Sequence, residues 1–189
     1  MNPFRLKIRK KLLTIFGDIK VFKWPMFIVY HPTSFRVKGR QTLDAMHVLK
    51  PGDLILRKYK NYLDGHFIPG KYSHTGIYIG ENLVTHAIAE GVVRENIIDF
   101  LRCDGFCILR PKFGQEEALR FLKDVLGQPY DFEFSYGNEA WYCHELGANA
   151  YLGLNIKKKV PKLWFIKGKP AFLTESFLDS PDFKNIMEY

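Results

Sequence analysis

The order of the predicted secondary-structure elements constrains the fold of this 189-residue chain more than any other feature. Short apolar segments between turn residues indicate β-strands in the first half of the chain. These predicted strands are Leu54–Leu56, Thr75–Ile79, Leu83–Ile88, Val92–Ile97 and Phe106–Leu109. Helical periodicity follows at Glu116–Leu126 and at about Cys143–Leu152, and the tail is predicted to be mostly extended or loop. Strands followed by helices predict a domain of the α+β class.

The second and third predicted strands form a hairpin, and the length of its loop decides which side chains share a face of the sheet. With a three-residue loop at residues 80–82, Gly76 faces His86 across the hairpin. His74 and His86 are then diagonal neighbours on one face. A two-residue loop would place the two imidazoles on opposite faces.

Cys143 is the candidate nucleophile, because the pattern places it at the start of the second helix. The free N–H groups and the dipole of a helix N-terminus favour a thiolate, so we expect the thiol pKa to fall from about 8.5 to roughly 3.5–7.5. The backbone N–H of Cys143 is expected to stabilise an oxyanion. Cleavage of an amide or ester also needs a base, and His74 is the candidate. Considered alone, either residue is more often a buried structural side chain.

A third group is needed to orient the base, and the spacing leaves two candidates open. His86 is diagonal to His74 when the hairpin loop has three residues, and Glu90 is also diagonal to His74 in that register. Spacing alone does not choose between them.

Three motifs together resemble the YiiX-like, circularly permuted papain-fold hydrolases, which belong with the NlpC-type cell-wall amidases and the lecithin:retinol acyltransferase group. They are Tyr-Ser-His-Thr-Gly at 72–76, Gly-Gln-Pro-Tyr-Asp-Phe at 127–132 and Tyr-Cys-His-Glu-Leu at 142–146. The resemblance implies a permuted papain-like fold, with an antiparallel sheet packed against helices and the histidine strand before the cysteine helix. It implies that Cys143 is the nucleophile and His74 the base. We expect no cofactor and no metal.

The chain departs from this group at two positions. The third catalytic position, usually a glutamate in a Val-x-Glu-Ala context, corresponds to His86 in Val84-Thr85-His86-Ala87. Because NlpC-type enzymes often use a histidine there, His86 is the first choice of orienter and Glu90 the second. The group commonly has a small serine after the cysteine, where this chain has His144, and we expect that side chain to face solvent.

The excess of positive over negative charge is confined to the N-terminal segment. Residues 1–40 contain ten Lys or Arg and a single acid, whereas the remaining residues contain 18 bases and 19 acids. This distribution argues against a nucleic-acid binder. We expect residues 1–45 to be a basic amphipathic extension and residues 46–189 to be the hydrolase domain. Residues 1–30 either pack on the body of the protein or bind an anionic membrane surface.

The expected function is that of a cysteine hydrolase that cleaves an amide, such as a cell-wall peptide or γ-glutamyl bond, through an acyl-thioester intermediate. One alternative is a membrane-associated thiol acyltransferase or thioesterase that acts on lipids, and another is a catalytically silent binding module of the same fold. The sequence has no apolar stretch of transmembrane length and no cleavable secretory signal. We therefore expect a cytoplasmic protein, with peripheral association at the inner face of the membrane as an option.

Overall fold

The computed structural model describes residues 8, 19–21, 28–30, 35–60, 70–133, 139–160 and 170–189. Its helices are α1 (Gly39–Val48), α2 (Ile97–Phe100), α3 (Gln115–Asp124), α4 (Cys143–Ala150) and α5 (Thr174–Leu178). Its strands are β1 (Ile19–Val21), β2 (Ile28–Tyr30), β3 (Leu54–Lys58), β4 (His74–Gly80), β5 (Leu83–Ile88), β6 (Gly91–Asn96), β7 (Gly105–Pro111) and β8 (Phe183–Glu188). The α+β class predicted from the sequence is confirmed.

The centre of the fold is a six-stranded antiparallel sheet with the strand order β6-β5-β4-β3-β7-β8. The five strands predicted from the sequence are all present. The tail was expected to be mostly extended or loop, and this prediction was incomplete. Residues 174–178 form α5, and residues 183–188 add an edge strand to β7.

The sheet buries a separate apolar cluster on each face. One cluster joins Leu54, Leu56 and Ile77 to residues of α3, α4 and α5. The other joins Ile55 and Phe106 to residues of α1 and α2. Side chains alternate between the faces of a strand, so consecutive residues of β3 and β4 contribute to different clusters.

The hairpin between β4 and β5 has a two-residue loop, and a bulge restores the register that a three-residue loop would have given. Glu81 and Asn82 have positive φ values of 52° and 59°, as in a type I′ turn. Gly80 therefore pairs with Leu83, and an irregularity between Tyr78 and Gly80 shifts the pairing by one residue. Gly76 consequently faces His86, which is the register expected of the three-residue loop. The loop has two residues, but the bulge offsets its effect on the register.

The N-terminal part of the chain contains an antiparallel pair, β1 and β2. Most of the N-terminal extension expected over residues 1–45 lies outside the described residues. Of residues 1–18, the structure describes Ile8, which is helical and exposed. The boundary expected at residues 45 and 46 falls inside α1, where Ala45 is buried in the core. None of the described helices is both long and apolar enough to span a bilayer.

Candidate active site

Cys143 is the first residue of α4, and that helix packs tightly against the sheet. Its side chain is only 6% exposed. The close packing depends on Gly147, since a Cβ at this position would lie 3.0 Å from Cγ2 of Thr75 and 3.4 Å from Cδ1 of Leu54. The small residue thus lets the N-terminus of the helix approach the beginning of β4.

Two opposing effects act on the Cys143 sulfur, which remains a thiol. The backbone N–H groups of Thr75, on β4, and of His144, in the first turn of α4, lower its pKa. Burial opposes them and dominates, so the pKa of Cys143 rises to about 11. The pKa predicted from the sequence was therefore wrong in direction, because the sequence did not show how deeply the sulfur is buried.

The histidine after the cysteine faces the interior, not solvent as the sequence suggested. His144 is 4% exposed, and its Nδ1 lies 2.6 Å from Oγ1 of Thr75. The same nitrogen lies 3.7 Å from the Cys143 sulfur. Burial lowers the pKa of His144 to about 3, so its imidazole is neutral. The hydrogen bond with Thr75 connects α4 to β4 beside the thiol.

The structure brings the other two predicted site residues, His74 and His86, into direct contact. Nε2 of His74 lies 2.9 Å from Nδ1 of His86, and the two rings meet edge to face. The Phe100 ring packs against both imidazoles. Burial lowers the pKa of His74, and the positive charge of Arg57 lowers it further. Burial also lowers the pKa of His86. Both imidazoles are therefore neutral near physiological pH.

His74 and Cys143 are linked indirectly, without a direct bond. Thr75, which follows His74, contacts Nδ1 of His144, and that nitrogen lies 3.7 Å from the Cys143 sulfur. Within the described part of the chain, no hydrogen bond joins the sulfur to His74 itself. Such contacts are often long before substrate binds and shorten in the complex. Because His86 occupies Nε2 of His74, Nδ1 is the nitrogen that remains for the thiol.

Glu95 is a site residue that the sequence reasoning missed. Its Oε2 lies 3.2 Å from Nε2 of His86 and 3.5 Å from Nη1 of Arg57. The register explains the contact, since His86 faces Val93 and Glu95 is therefore its diagonal neighbour. The alternation of β6 would have revealed Glu95 once β5 and β6 had been aligned. Glu90, the second choice of orienter, lies exposed in the turn between these strands.

Tyr130 is a second missed residue, and it lies in the Gly-Gln-Pro-Tyr-Asp-Phe motif. Burial raises the pKa of its hydroxyl well above the usual value, and the nearby backbone N–H of Cys143 lowers it by a smaller amount. The N–H expected to stabilise an oxyanion thus faces a protonated phenol. Beyond it lie the buried carboxyl groups of Asp131 and Glu145. Burial and the Asp131 charge raise the pKa of Glu145 to about 7.

Comparison with known proteins supports the arrangement of these elements. The model of the permuted papain-like amidase enzymes, the YaeF/YiiX or C92 family, matches residues 48–187. The chain belongs to this family. Its fold is therefore the permuted papain-like fold, and the family activity is that of an amidase. No curated protein matches the sequence significantly.

Among solved structures, the chain is similar to the crystal structure of metalloprotein YiiX from Escherichia coli O157:H7. The TM-score is 0.62 at 18% sequence identity, and the match covers 74% of this chain and 97% of that one. At this identity the likeness shows the fold alone. In the described residues of this chain, no group of three or more His, Cys, Asp or Glu side chains is arranged to hold a metal ion.

Proposed function

We propose that this protein is a cysteine amidase in which Cys143 is the nucleophile, His74 the base and His86 the orienter of that base. The hydrogen bond between His74 and His86 is the observation that carries the proposal. It fixes the imidazole at the start of β4, where the next residue, Thr75, contacts the cysteine helix through His144. Acyl transfer through a thiol requires a nucleophile, a base and a group that orients the base.

The protonation states indicate how the thiol is activated. Cys143 and His74 both rest neutral, since burial raises the pKa of the thiol and lowers that of the imidazole. Nδ1 of His74 therefore removes the proton as the sulfur attacks the carbonyl carbon of the amide. The Tyr130 hydroxyl, which lies beside the Cys143 N–H and stays protonated, is the donor that we assign to the oxyanion that forms.

The second half of the reaction regenerates the enzyme. The C–N bond breaks, the leaving amine takes the proton from His74, and the acyl group stays on sulfur as a thioester. His74 then removes a proton from water, whose oxygen attacks the thioester carbon. The C–S bond breaks, the acid product leaves, and the thiol is protonated again. A cell-wall peptide or γ-glutamyl amide is the substrate class that we propose first.

A second candidate function uses the same chemistry on an ester or thioester of a lipid. The observation that favours it is the charge distribution, because the excess of basic residues lies in residues 1–40. Such a segment suits an anionic membrane surface at the inner face of the membrane. The first candidate rests on the amidase family, and the second on this N-terminal segment.

Mass spectrometry of the intact protein with electrophilic acyl probes tests both candidates. We expect an adduct on Cys143 with amide-derived peptide probes, and none in Cys143→Ala. His74→Ala should lower the rate of adduct formation about a hundredfold or more, since a positioned base contributes roughly 10²–10⁴-fold. A preference for long-chain acyl probes would favour the lipid reaction. A silent binding module would give no adduct on Cys143 with either probe class.

A further inference from the structure

The side chains of His74 and His86 form an imidazole row. The row ends at the carboxylate of Glu95, which has no other described role. Nε2 of His86 and Oε2 of Glu95 are 3.2 Å apart. Both atoms are buried, and neither makes a hydrogen bond of good geometry with any other group in the described residues. The contact itself lacks good hydrogen-bond geometry, and Oε2 of Glu95 lies closer to Nε2 of His86 than to Nη1 of Arg57, which is 3.5 Å away. Burial without any partner would be unfavourable for each group.

We propose that Glu95 is a positioning residue that sets the tautomers of both histidines, so that the lone pair of His74 faces the thiol. This inference rests on the proposed function for its catalytic meaning. A carboxylate only accepts hydrogen bonds, so Nε2 of His86 must carry the proton that faces Glu95. Nδ1 of His86 is then an acceptor, and Nε2 of His74 must donate to it across 2.9 Å. Nδ1 of His74 is consequently left unprotonated.

The surroundings keep Glu95 in the ionised form that this scheme needs. Burial raises the pKa of Glu95, but its contacts with His86 and Arg57 outweigh this effect and lower the pKa below its usual value. Arg57 is held in place by its bond of 2.8 Å to the Phe100 carbonyl and by the Phe100 ring, 4.1 Å from its guanidinium carbon. The arginine thus pairs with the carboxylate from β3, where it stands opposite His74 in the register.

The same geometry explains how a histidine can replace the glutamate expected at position 86. A neutral imidazole stabilises the imidazolium form of His74 less than a carboxylate does. Glu95 supplies the negative charge one residue further along the row. When His74 takes the thiol proton, the developing charge is shared across His86 toward Glu95. The carboxylate is displaced from its expected position, and its electrostatic contribution is retained.

The imidazole ¹⁵N resonances of the full-length protein test the tautomers directly, because a protonated ring nitrogen and an unprotonated one have well-separated shifts. We expect protonated Nε2 and unprotonated Nδ1 in both His74 and His86 near neutral pH. The measurement is made in Cys143→Ala, so it does not depend on any activity. The opposite tautomer in either ring would overturn the proposal, whatever the kcat values of the variants are.

Three substitutions then separate positioning from packing. Glu95→Leu removes the acceptor and should mix the tautomers of His86, whereas Glu95→Gln keeps an amide oxygen and should largely preserve them. The matched control is Glu90→Leu, which removes the same charge from an exposed turn residue. We expect Glu95→Leu to lower kcat about tenfold or more with little change in KM, and Glu95→Gln to restore most of the loss.

The outcomes distinguish this inference from the proposed function. If Cys143 forms no adduct but the resonances show the expected tautomers, the amidase proposal fails and the role of Glu95 in ordering the histidines stands. If the protein is active and Glu95→Leu behaves like Glu90→Leu in both kcat and ¹⁵N shifts, the inference about Glu95 is wrong. If Glu95→Leu does not fold, the comparison of Glu95→Gln with the native protein decides. A loss of kcat of about tenfold in Glu95→Gln, without a change of tautomer, would contradict the proposal.

Discussion

At the Cys143 sulfur, nearby backbone N–H groups and burial act on the thiol pKa in opposite directions. The N–H groups of Thr75 and His144 stabilise a thiolate, and burial between α4 and the sheet destabilises it. A helix terminus contributes about 0.3–2 kcal/mol, whereas a fully buried group can shift by several pKa units at about 1.36 kcal/mol each. Burial is the larger effect here, so the site holds a neutral thiol beside a neutral imidazole.

Titration of the thiolate absorbance tests this conclusion. The difference spectrum between the native protein and Cys143→Ser isolates this sulfur, since the pKa of Cys103 and of Cys107 is also raised by burial to about 11. Because the pKa of Cys143 is raised to about 11, the thiolate should be absent at neutral pH and appear as the pH rises toward that value. A thiolate signal already present near neutral pH would show an ion pair with His74 instead.

At the scale of elements, the sequence patterns identified the central hairpin but not the details that make it a site. Alternation of apolar residues predicted β4 and β5, but it left open whether His86 lies opposite Gly76, as the structure has it. The bulge near Tyr78 could not be predicted, because it depends on the positive φ values of the turn residues. Strand β8 was missed because its residues are largely polar and only partly buried, as suits an edge strand.

Helix α1 was missed for a related reason, and the depth of the site had no sequence signal at all. Of the residues of α1, Ala45 alone is buried, so the helix carries little apolar periodicity. The burial of Cys143 and His144 follows from the close approach of α4 to β4, which a single glycine permits. The three motifs located the catalytic candidates, whereas the positions of Glu95 and Arg57 required the register of four strands.

Gly76 tests how the hairpin holds the two imidazoles. A Cβ at this position would lie 2.6 Å from Cγ1 of Val84 and 2.7 Å from Cζ of Phe100. Gly76→Ala should therefore displace the Phe100 ring from His74 and His86, and should destabilise the protein by about 1–3 kcal/mol. Denaturant unfolding measures the loss, and the rate of adduct formation on Cys143 should fall under conditions where the variant remains folded.

Gly39→Ala is the control for that substitution, because a Cβ there would meet no atom within 4 Å. It lies at the start of α1, where alanine is tolerated better than glycine. Its stability should equal or exceed that of the native protein. Equal unfolding free energies for the two variants would mean that Phe100 has room to move and does not fix the imidazoles.

At the scale of the whole molecule, charge and catalysis occupy different parts of the chain. The family match begins at residue 48, and the imidazole row, the thiol and Glu95 all lie within it. The remaining 149 residues after position 40 are close to neutral, with 18 bases against 19 acids. The basic N-terminal segment is therefore not needed to charge the site, and we propose that it locates the protein at an anionic surface.

Vesicle sedimentation with the full-length protein tests that role. Each basic residue near an anionic surface contributes about 1 kcal/mol, so Arg5→Glu, Arg9→Glu and Lys10→Glu together should abolish binding to vesicles that contain phosphatidylglycerol. The matched control reverses three exposed lysines of the body, Lys50, Lys123 and Lys184, with the same change in net charge. Binding of the native protein should weaken as salt is added, because salt screens the charges. It should be absent on phosphatidylcholine alone, which carries no net charge.

Equal losses in both triple variants would show that net charge alone drives association. Undiminished binding of the N-terminal variant would remove the observation that favours a lipid substrate and leave the amide reaction as the only supported candidate.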